Sequence, residues 1–322
     1  MLVKKIIKSI IFLTISGLLM SVSAFAAYPE RPISLIVPFG TGGSTDTNAR
    51  MLAMELEKIL GQRVLVKNIS GAAGIIGTKA VSKSKPDGYT FGYLPPAVIV
   101  MHPHVKKVPY TLDDFAPVAL AVSFPYVLYA KKDSPWGDFN DMVSDMQSKP
   151  MEYFVGTTGV GSMPYFAIMS VLATNNIKAR TVAFKVDGDA AQAMMGNRIA
   201  LYASTPQILK QYDVKALASL SVKRDPHMPQ VPSIKEFGKE KLPFVHWQAV
   251  VAPAGTPMDR ITKISNAIKQ VSEMASYKKT LSKISMSPDY KNPMETKAFI
   301  QSEFDMYKVV CKEVMDSVKA NK

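Results

Sequence analysis

The sequence predicts an α/β fold of mostly parallel sheet flanked by helices, and three observations carry that expectation. Short apolar runs of strand type alternate with helix-period stretches along the chain. Glycine and hydroxyl residues cluster where two of those strands give way to helices. The composition, 47% hydrophobic and 20% charged, is globular and excludes disorder, collagen and coiled coil. With 322 residues, the chain has material for about two domains, each with its own core.

Residues 1–26 read as a secretory signal outside that fold. Lys4, Lys5 and Lys8 precede an apolar run from Ile10 to Met20, and Ala24-Phe25-Ala26 offers small residues for cleavage. Thr14, Ser16 and Gly17 interrupt the run, which falls short of the about 20 apolar residues of a membrane span. No cysteine adjoins the cut, so no lipid anchor is expected there, and the product should be soluble and periplasmic.

The elements then follow in order. Residues 33–37 form a buried strand ending at Pro38. A helix over 46–60 places Ala49, Leu52, Ala53, Leu56, Ile59 and Leu60 on one face, and Gly61 closes it. Strands are expected at 64–66, 89–94, 153–155, 181–185, 199–202, 214–220 and 250–253, with helices at 139–146, 166–172, 190–195 and from 258. A last helix, about 294–318, carries Phe299, Ile300, Phe304, Tyr307, Val310, Cys311, Val314 and Val318 as one apolar stripe. Cys311 lies on that stripe and reads as a buried, inert thiol.

Several function classes are set aside by counting. One cysteine excludes an intrachain disulfide and a cysteine-rich zinc site, and four histidines leave little for a metal centre. His102-Pro103-His104 lacks further ligands and reads as a surface turn. The net charge of +13 comes from scattered lysines, without the basic run interleaved with aromatics that nucleic-acid binding requires. No cofactor, metal or nucleic acid is expected, and the chain is taken as a monomer.

The strongest local signal is Phe39-Gly40-Thr41-Gly42-Gly43-Ser44-Thr45-Asp46, between a strand and a helix. Glycines let backbone amides approach a ligand, and a helix N-terminus favours a carboxylate or phosphate. Ser44, Thr45 or Asp46 would cap the helix. The alternative is a connecting turn. A second junction, Thr157-Thr158-Gly159-Val160-Gly161-Ser162, precedes a helix with Pro164 in its first turn. Two such junctions would oppose two helix N-termini across one cleft. Neither contains a P-loop lysine or the nucleophile elbow of a hydrolase, which favours capture over catalysis.

Other clusters are weighed beside these. Gly71-Ala72-Ala73-Gly74-Ile75-Ile76-Gly77 imitates part of a dinucleotide fingerprint, but close packing of helix on strand accounts for it better. Asp113-Asp114 reads as a helix start or turn. Asp187 and Asp189 follow the strand that includes Lys185; they form either a turn with capping acids or a contact to a ligand's amine or hydroxyl end. Ser204 and Thr205 end another strand, as a helix cap or as ligand contacts.

Taken together, these residues closely resemble the Bug/TctC family, the extracytoplasmic solute-binding proteins of tripartite tricarboxylate transporters. The resemblance rests on the segment from Tyr28 to Phe39, Gly42-Gly43-Ser44-Thr45-Asp46 with Ala49-Arg50, and Pro86-Asp87-Gly88-Tyr89-Thr90. Gly156 to Ser162, Pro229 to Pro232, Glu236-Phe237-Gly238 and Ala252 to Pro257 extend it over the mature chain. It implies a two-lobe periplasmic-binding fold of the second type, with a ligand cleft between the lobes. Residues 28–128 and 246–322 would form lobe one, and 129–245 lobe two. By position it implies ligand contacts from Phe39, Gly40, Thr41, Gly42, Gly43, Ser44 and Asp46, and from Thr157, Thr158, Gly159, Gly161 and Ser162. Lys185, Asp187, Asp189, Ser204 and Thr205 would meet the ligand's far end. Departures from the family pattern are Gly40-Thr41, Tyr165-Phe166, Val186-Asp187 and Ala193.

The expected function is non-catalytic capture of a small organic carboxylate for the membrane components of such a transporter. A periplasmic sensor that docks to a signalling receptor would use the same cleft. An exported hydrolase acting through Ser162 or Ser44 lacks an evident histidine partner.

Overall fold

The computed structural model of the protein describes residues 28–159, 161–184, 186–239 and 244–320, the side chains of 317–320 excepted. The expected signal at 1–26 lies outside the described residues, as do Val160 and Lys185. Strand β1 (Ile33–Val37), helix α1 (Ser44–Leu60), β2 (Val64–Asn68), α2 (Ile75–Ser82) and β3 (Thr90–Leu94) open the fold. A π-helical turn at Ala97–Met101 leads into the one-turn helix α3 (His102–Val105). Strands β4 (Phe115–Pro125) and β5 (Val127–Lys131) follow almost without interruption. Next come α4 (Phe139–Ser148), β6 (Phe154–Thr157), α5 (Met163–Thr174), β7 (Arg180–Ala183) and α6 (Asp187–Met195). Then β8 (Leu201–Ser204), α7 (Ile208–Gln211) and β9 (Val214–Ser219) complete the middle of the chain. The remainder is β10 (Val245–Pro253), α8 (Met258–Glu273), α9 (Ala275–Ser282), β11 (Ser287–Lys291) and α10 (Pro293–Ala320).

The strands form two sheets, a six-stranded one ordered β11-β4-β10-β3-β1-β2 and a five-stranded one ordered β7-β6-β8-β5-β9. The expected α/β class holds, but the pairing is mixed rather than mostly parallel. β1 runs parallel to β2 and β3, and β6 to β7 and β8. β10 is antiparallel to β3 and β4, β11 to β4, and β5 to β8 and β9. The physical reason is connectivity. β4 passes into β5 through Tyr126 alone, so these strands enter their sheets without the helical crossover that a parallel pair needs.

The passages between the sheets are tied at one point. The Tyr126 amide donates to the Phe244 carbonyl at 2.8 Å, and the Tyr126 carbonyl accepts from the Leu220 amide at 2.7 Å. The Phe244 amide donates to the Leu220 carbonyl at 2.8 Å. Outbound and returning chain therefore share a short backbone ladder. One apolar cluster spans both sheets and includes Leu94, Leu120, Leu128, Phe166, Trp247 and Tyr307.

α10 buries Ile300, Tyr307, Cys311 and Val314, with Phe299, Phe304 and Val310 at the edge of the same stripe. It lies on β4 of the first sheet and on α5 beside the second. Burial pushes the Cys311 thiol up to about 12, which keeps it protonated and unreactive. Among the described residues no helix is long and apolar enough to cross a membrane.

Candidate ligand-binding site

Strand direction fixes where the two glycine-rich junctions point. On β10, Val245 lies opposite Pro125 of β4 and Ala249 opposite Leu94 of β3, so β3 runs toward the Tyr126 crossover. β1 is parallel to β3, and the loop after Val37 leaves the sheet at that same edge. In the second sheet Ser204 of β8 lies opposite Val127, next to Tyr126, and β6 and β7 run with β8. The carboxyl edges of both parallel sets, where open α/β sheets hold their ligands, thus turn toward one crossover.

In the first junction Gly40, Thr41, Gly42 and Gly43 are exposed, and Phe39 and Ser44 are half-buried. Gly42 adopts φ +86°, a left-handed conformation that side chains resist. A Cβ placed on Gly40, Gly42 or Gly43 would meet nothing within 4 Å, so their backbone faces open space. The capping expectation is corrected. Gly43 is the N-cap of α1 and no side chain caps it, which leaves the first amides of the helix unspent.

Asp46 faces inward instead. Its carboxylate accepts from the Gly42 amide at 2.9 Å, from Asn68 Nδ2 at 2.8 Å and from Arg50 Nε at 3.1 Å. Burial pushes this carboxyl up, but the Arg50, Gly42 and Asn68 hydrogen bonds outweigh it and hold the group below the usual carboxylate range. Asn68 also donates to the Phe39 carbonyl at 3.0 Å. Asp46 therefore braces the loop from behind.

The second junction is built differently. Thr157 is buried, and Thr158, Gly159 and Ser162 are half-buried. Ser162 caps α5 by accepting from the Tyr165 amide at 3.2 Å. Its hydroxyl donates to the Gly159 carbonyl at 2.9 Å, and Thr158 Oγ1 donates to Ser162 Oγ at 3.1 Å. Both hydroxyl protons are thus spent within the loop. Gly159 and Gly161 take φ +96° and +86°, and a Cβ on Gly159 would meet nothing within 4 Å. Val160 lies outside the described residues.

Sequence reasoning missed what approaches this loop from the first sheet. A Cβ on Gly161 would come 3.7 Å from Lys106 Nζ, an exposed cation just after α3. His102-Pro103-His104 is no surface turn: it forms α3, and His102 is 2% exposed. Burial, reinforced by Lys106, lowers His102 to about 4 despite the Gly161 backbone facing it. Its Nδ1 has no hydrogen-bond partner.

The third group gathers around Asp187, in the first turn of α6. The Tyr202 hydroxyl donates to its carboxylate. Ser204 is fully buried and its hydroxyl faces the same carboxylate without reaching hydrogen-bond geometry. Burial raises the Asp187 carboxyl above its ordinary value, and Tyr202 and Ser204 only partly offset this. The phenols of Tyr126 and Tyr129 are pushed up by burial and by the Asp187 charge.

Capping by these acids is corrected: Val186 is the N-cap of α6, with no side-chain hydrogen bond. Asp189 is exposed, and Lys185 lies outside the described residues. The Thr205 carbonyl accepts from Tyr129 at 2.9 Å. Tyr126 and Tyr202 escaped the sequence reading because each sits in an apolar strand run, where an aromatic reads as core.

Two further segments take structural roles. A Cβ on Gly77 would lie 2.3 Å from the Ile69 carbonyl oxygen and 2.6 Å from Pro38 Cα, the close packing expected of residues 71–77. Asp114 and Thr111 form a capping box on the short helix Leu112–Asp114. A cavity of about 320 Å³ lies between Lys131, Trp136, Phe154 and Arg198. It opens where β6 and β8 begin, the edge opposite the junctions, and contains none of the expected ligand residues.

Comparison with known proteins identifies the family and the fold. Residues 48–315 match the family described as the tripartite tricarboxylate transporter family receptor. Protein BugT of Bordetella pertussis is 31% identical over 318 residues, covering 96% of this chain and 97% of that one. MatC from Rhodopseudomonas palustris, solved with bound malate, superposes with a TM-score of 0.75 at 27% identity, covering 88% of this chain and 99% of that one. Rpa4515 of R. palustris, solved with adipate, gives 0.77 at 26% identity over 89% and 98%.

Proposed function

Because the chain belongs to the tripartite tricarboxylate transporter receptor family, we propose that it is a periplasmic receptor whose two lobes close on a small organic carboxylate. It binds and does not catalyse. Ser162, one of the two serines a hydrolase would use, is committed to capping α5. The lobes are residues 28–128 with 246–322, and 129–245, joined at the Tyr126–Leu220–Phe244 ladder. Residues 1–26 direct export, and the loaded monomer delivers its cargo to the membrane components of the transporter.

The observation that carries this reading is the pair of glycine-rich strand-to-helix junctions at edges facing one crossover. The uncapped first-turn amides of α1 suit an anion, and α1 and α5 present positive dipole ends beside the two loops. With the Thr158 and Ser162 protons used internally, backbone amides are the donors left in the second loop. Lys106 adds a positive field. The malate and adipate held by MatC and Rpa4515 support the same ligand class. Closure follows only from a ligand that touches both walls, since only differential contact shifts the population.

Calorimetric titration tests the reading, using mature chain freed of carried-over ligand by unfolding and refolding. Mono-, di- and tricarboxylates form the panel. At least one should bind with saturable heat and raise the thermal midpoint. Silence of refolded, cooperatively unfolding protein across the whole panel overturns it.

A further inference from the structure

We infer that Asp187 makes this site select carboxylates whose far end carries an ammonium group over dicarboxylates of the same length. The inference rests on the receptor reading above and names the class of ligand for that site. Asp187 opens α6, three residues beyond Phe184, whose amide donates to the Thr157 carbonyl at 2.8 Å. The start of α6 therefore lies beside the second glycine-rich junction, at the edge of the sheet that faces the crossover, and its Asp187 carboxylate accepts from Tyr202 of β8. Asp187 as a whole residue is half-buried.

Among the described residues, its neighbours are hydroxyls. Tyr202 donates to it, Ser204 faces it, and the Tyr126 and Tyr129 phenols feel its charge. Among the described residues, no lysine or arginine forms an ion pair with it. A negative charge taken partly out of water and given only neutral donors gains most from a cation. An ammonium supplies both the opposite charge and further hydrogen bonds. A second ligand carboxylate would set two anions against each other and force one to take a proton. The amide junctions and Lys106 hold the ligand's carboxylate, so the two ends of the site have opposite polarity.

Titration calorimetry with matched probes tests this on the mature, refolded protein. The probes are succinate, 4-hydroxybutyrate and 4-aminobutyrate, their five-carbon counterparts, and adipate with 6-aminohexanoate. The unmodified protein should bind the best amino acid about tenfold or more tighter than the dicarboxylate of equal length. Asp187→Asn should weaken that amino acid by roughly 30-fold or more, the usual loss on truncating a buried charge partner. The same change should leave the dicarboxylate unaffected or tighter.

Equal or tighter binding of dicarboxylates by the unmodified protein overturns the assignment while leaving the receptor reading intact. So does a hydroxy acid that matches its amino counterpart, because charge would then be irrelevant. Silence toward every probe and every other carboxylate overturns both. The ratio measured on the unmodified chain decides the matter even if the variant does not fold.

Discussion

The carboxylate of Asp46 accepts three hydrogen bonds, from the Gly42 amide, Asn68 Nδ2 and Arg50 Nε, and forms an ion pair with Arg50 Nη2 at 3.0 Å. The family resemblance implied a ligand contact for it, whereas the geometry uses it to hold Gly42 in a conformation that side chains resist. Asp46→Ala would strip those donors of their acceptor in a site where Asp46 is 3% exposed. The expected loss is about 3 kcal/mol of folding stability, read from chemical unfolding. An unchanged midpoint would return Asp46 to the pool of ligand contacts. Asp187 shows the opposite behaviour. Residues 15 positions apart, Asp187 and Tyr202, meet only through the pairing of β6 with β7 and β8. Nothing local announces that contact.

Secondary-structure elements were legible wherever one face is apolar and the ends carry glycine or a cap. The stripe on α10, the Gly61 closure of α1 and the Ser162–Pro164 start of α5 all follow from local periodicity and backbone preference. β10 begins at Val245 rather than 250, because His246 and Gln248 are buried polar residues that interrupt the apolar run. β11, with Pro288 and Asp289, carries no strand-type apolar run and is not anticipated by the sequence; it lies at the sheet edge, where proline is tolerated. Packing of α2 on the loop ends of β1 and β2 yields a direct test. Gly77→Ala places a methyl against the Ile69 carbonyl and Pro38 Cα, both backbone atoms that cannot swing aside. It should cost about 1–3 kcal/mol, seen as a lower thermal midpoint. A neutral outcome would mean that α2 moves freely on the sheet.

Across the whole molecule, buried histidines lie where the two sheets meet. His246 stacks on Phe124 at 4.8 Å between ring centroids and lies 3.4 Å from both the Tyr126 hydroxyl and Gln248 Nε2. Burial lowers it to about 4, and His102 beside the second loop likewise to about 4. In the unfolded chain both titrate near 6.5, so protons bind there first as pH falls. Stability is therefore full above about pH 6.5 and declines toward pH 4, by up to roughly 3 kcal/mol for each ring. Thermal midpoints between pH 7 and pH 4 should show this slope, and His246→Gln should flatten part of it. A flat profile in the unmodified protein would contradict neutral buried rings. Further contacts bridge the sheets. Lys210 Nζ donates to the Ser282 carbonyl at 3.0 Å, and His227 Nε2 meets Ser287 Oγ at 2.8 Å.

By itself the amino-acid sequence determined the α/β class, the two glycine-rich junctions, the long amphipathic C-terminal helix and the family resemblance. Each is written in neighbouring residues, as a period, a cap or a left-handed turn. Only the tertiary structure decided which strands run antiparallel, that His102 and His246 lie out of water, that Asp46 braces its own loop and that Asp187 meets Tyr202. Those outcomes depend on desolvation and on partners distant in sequence, and a side chain's surroundings exist only once the chain has closed on itself.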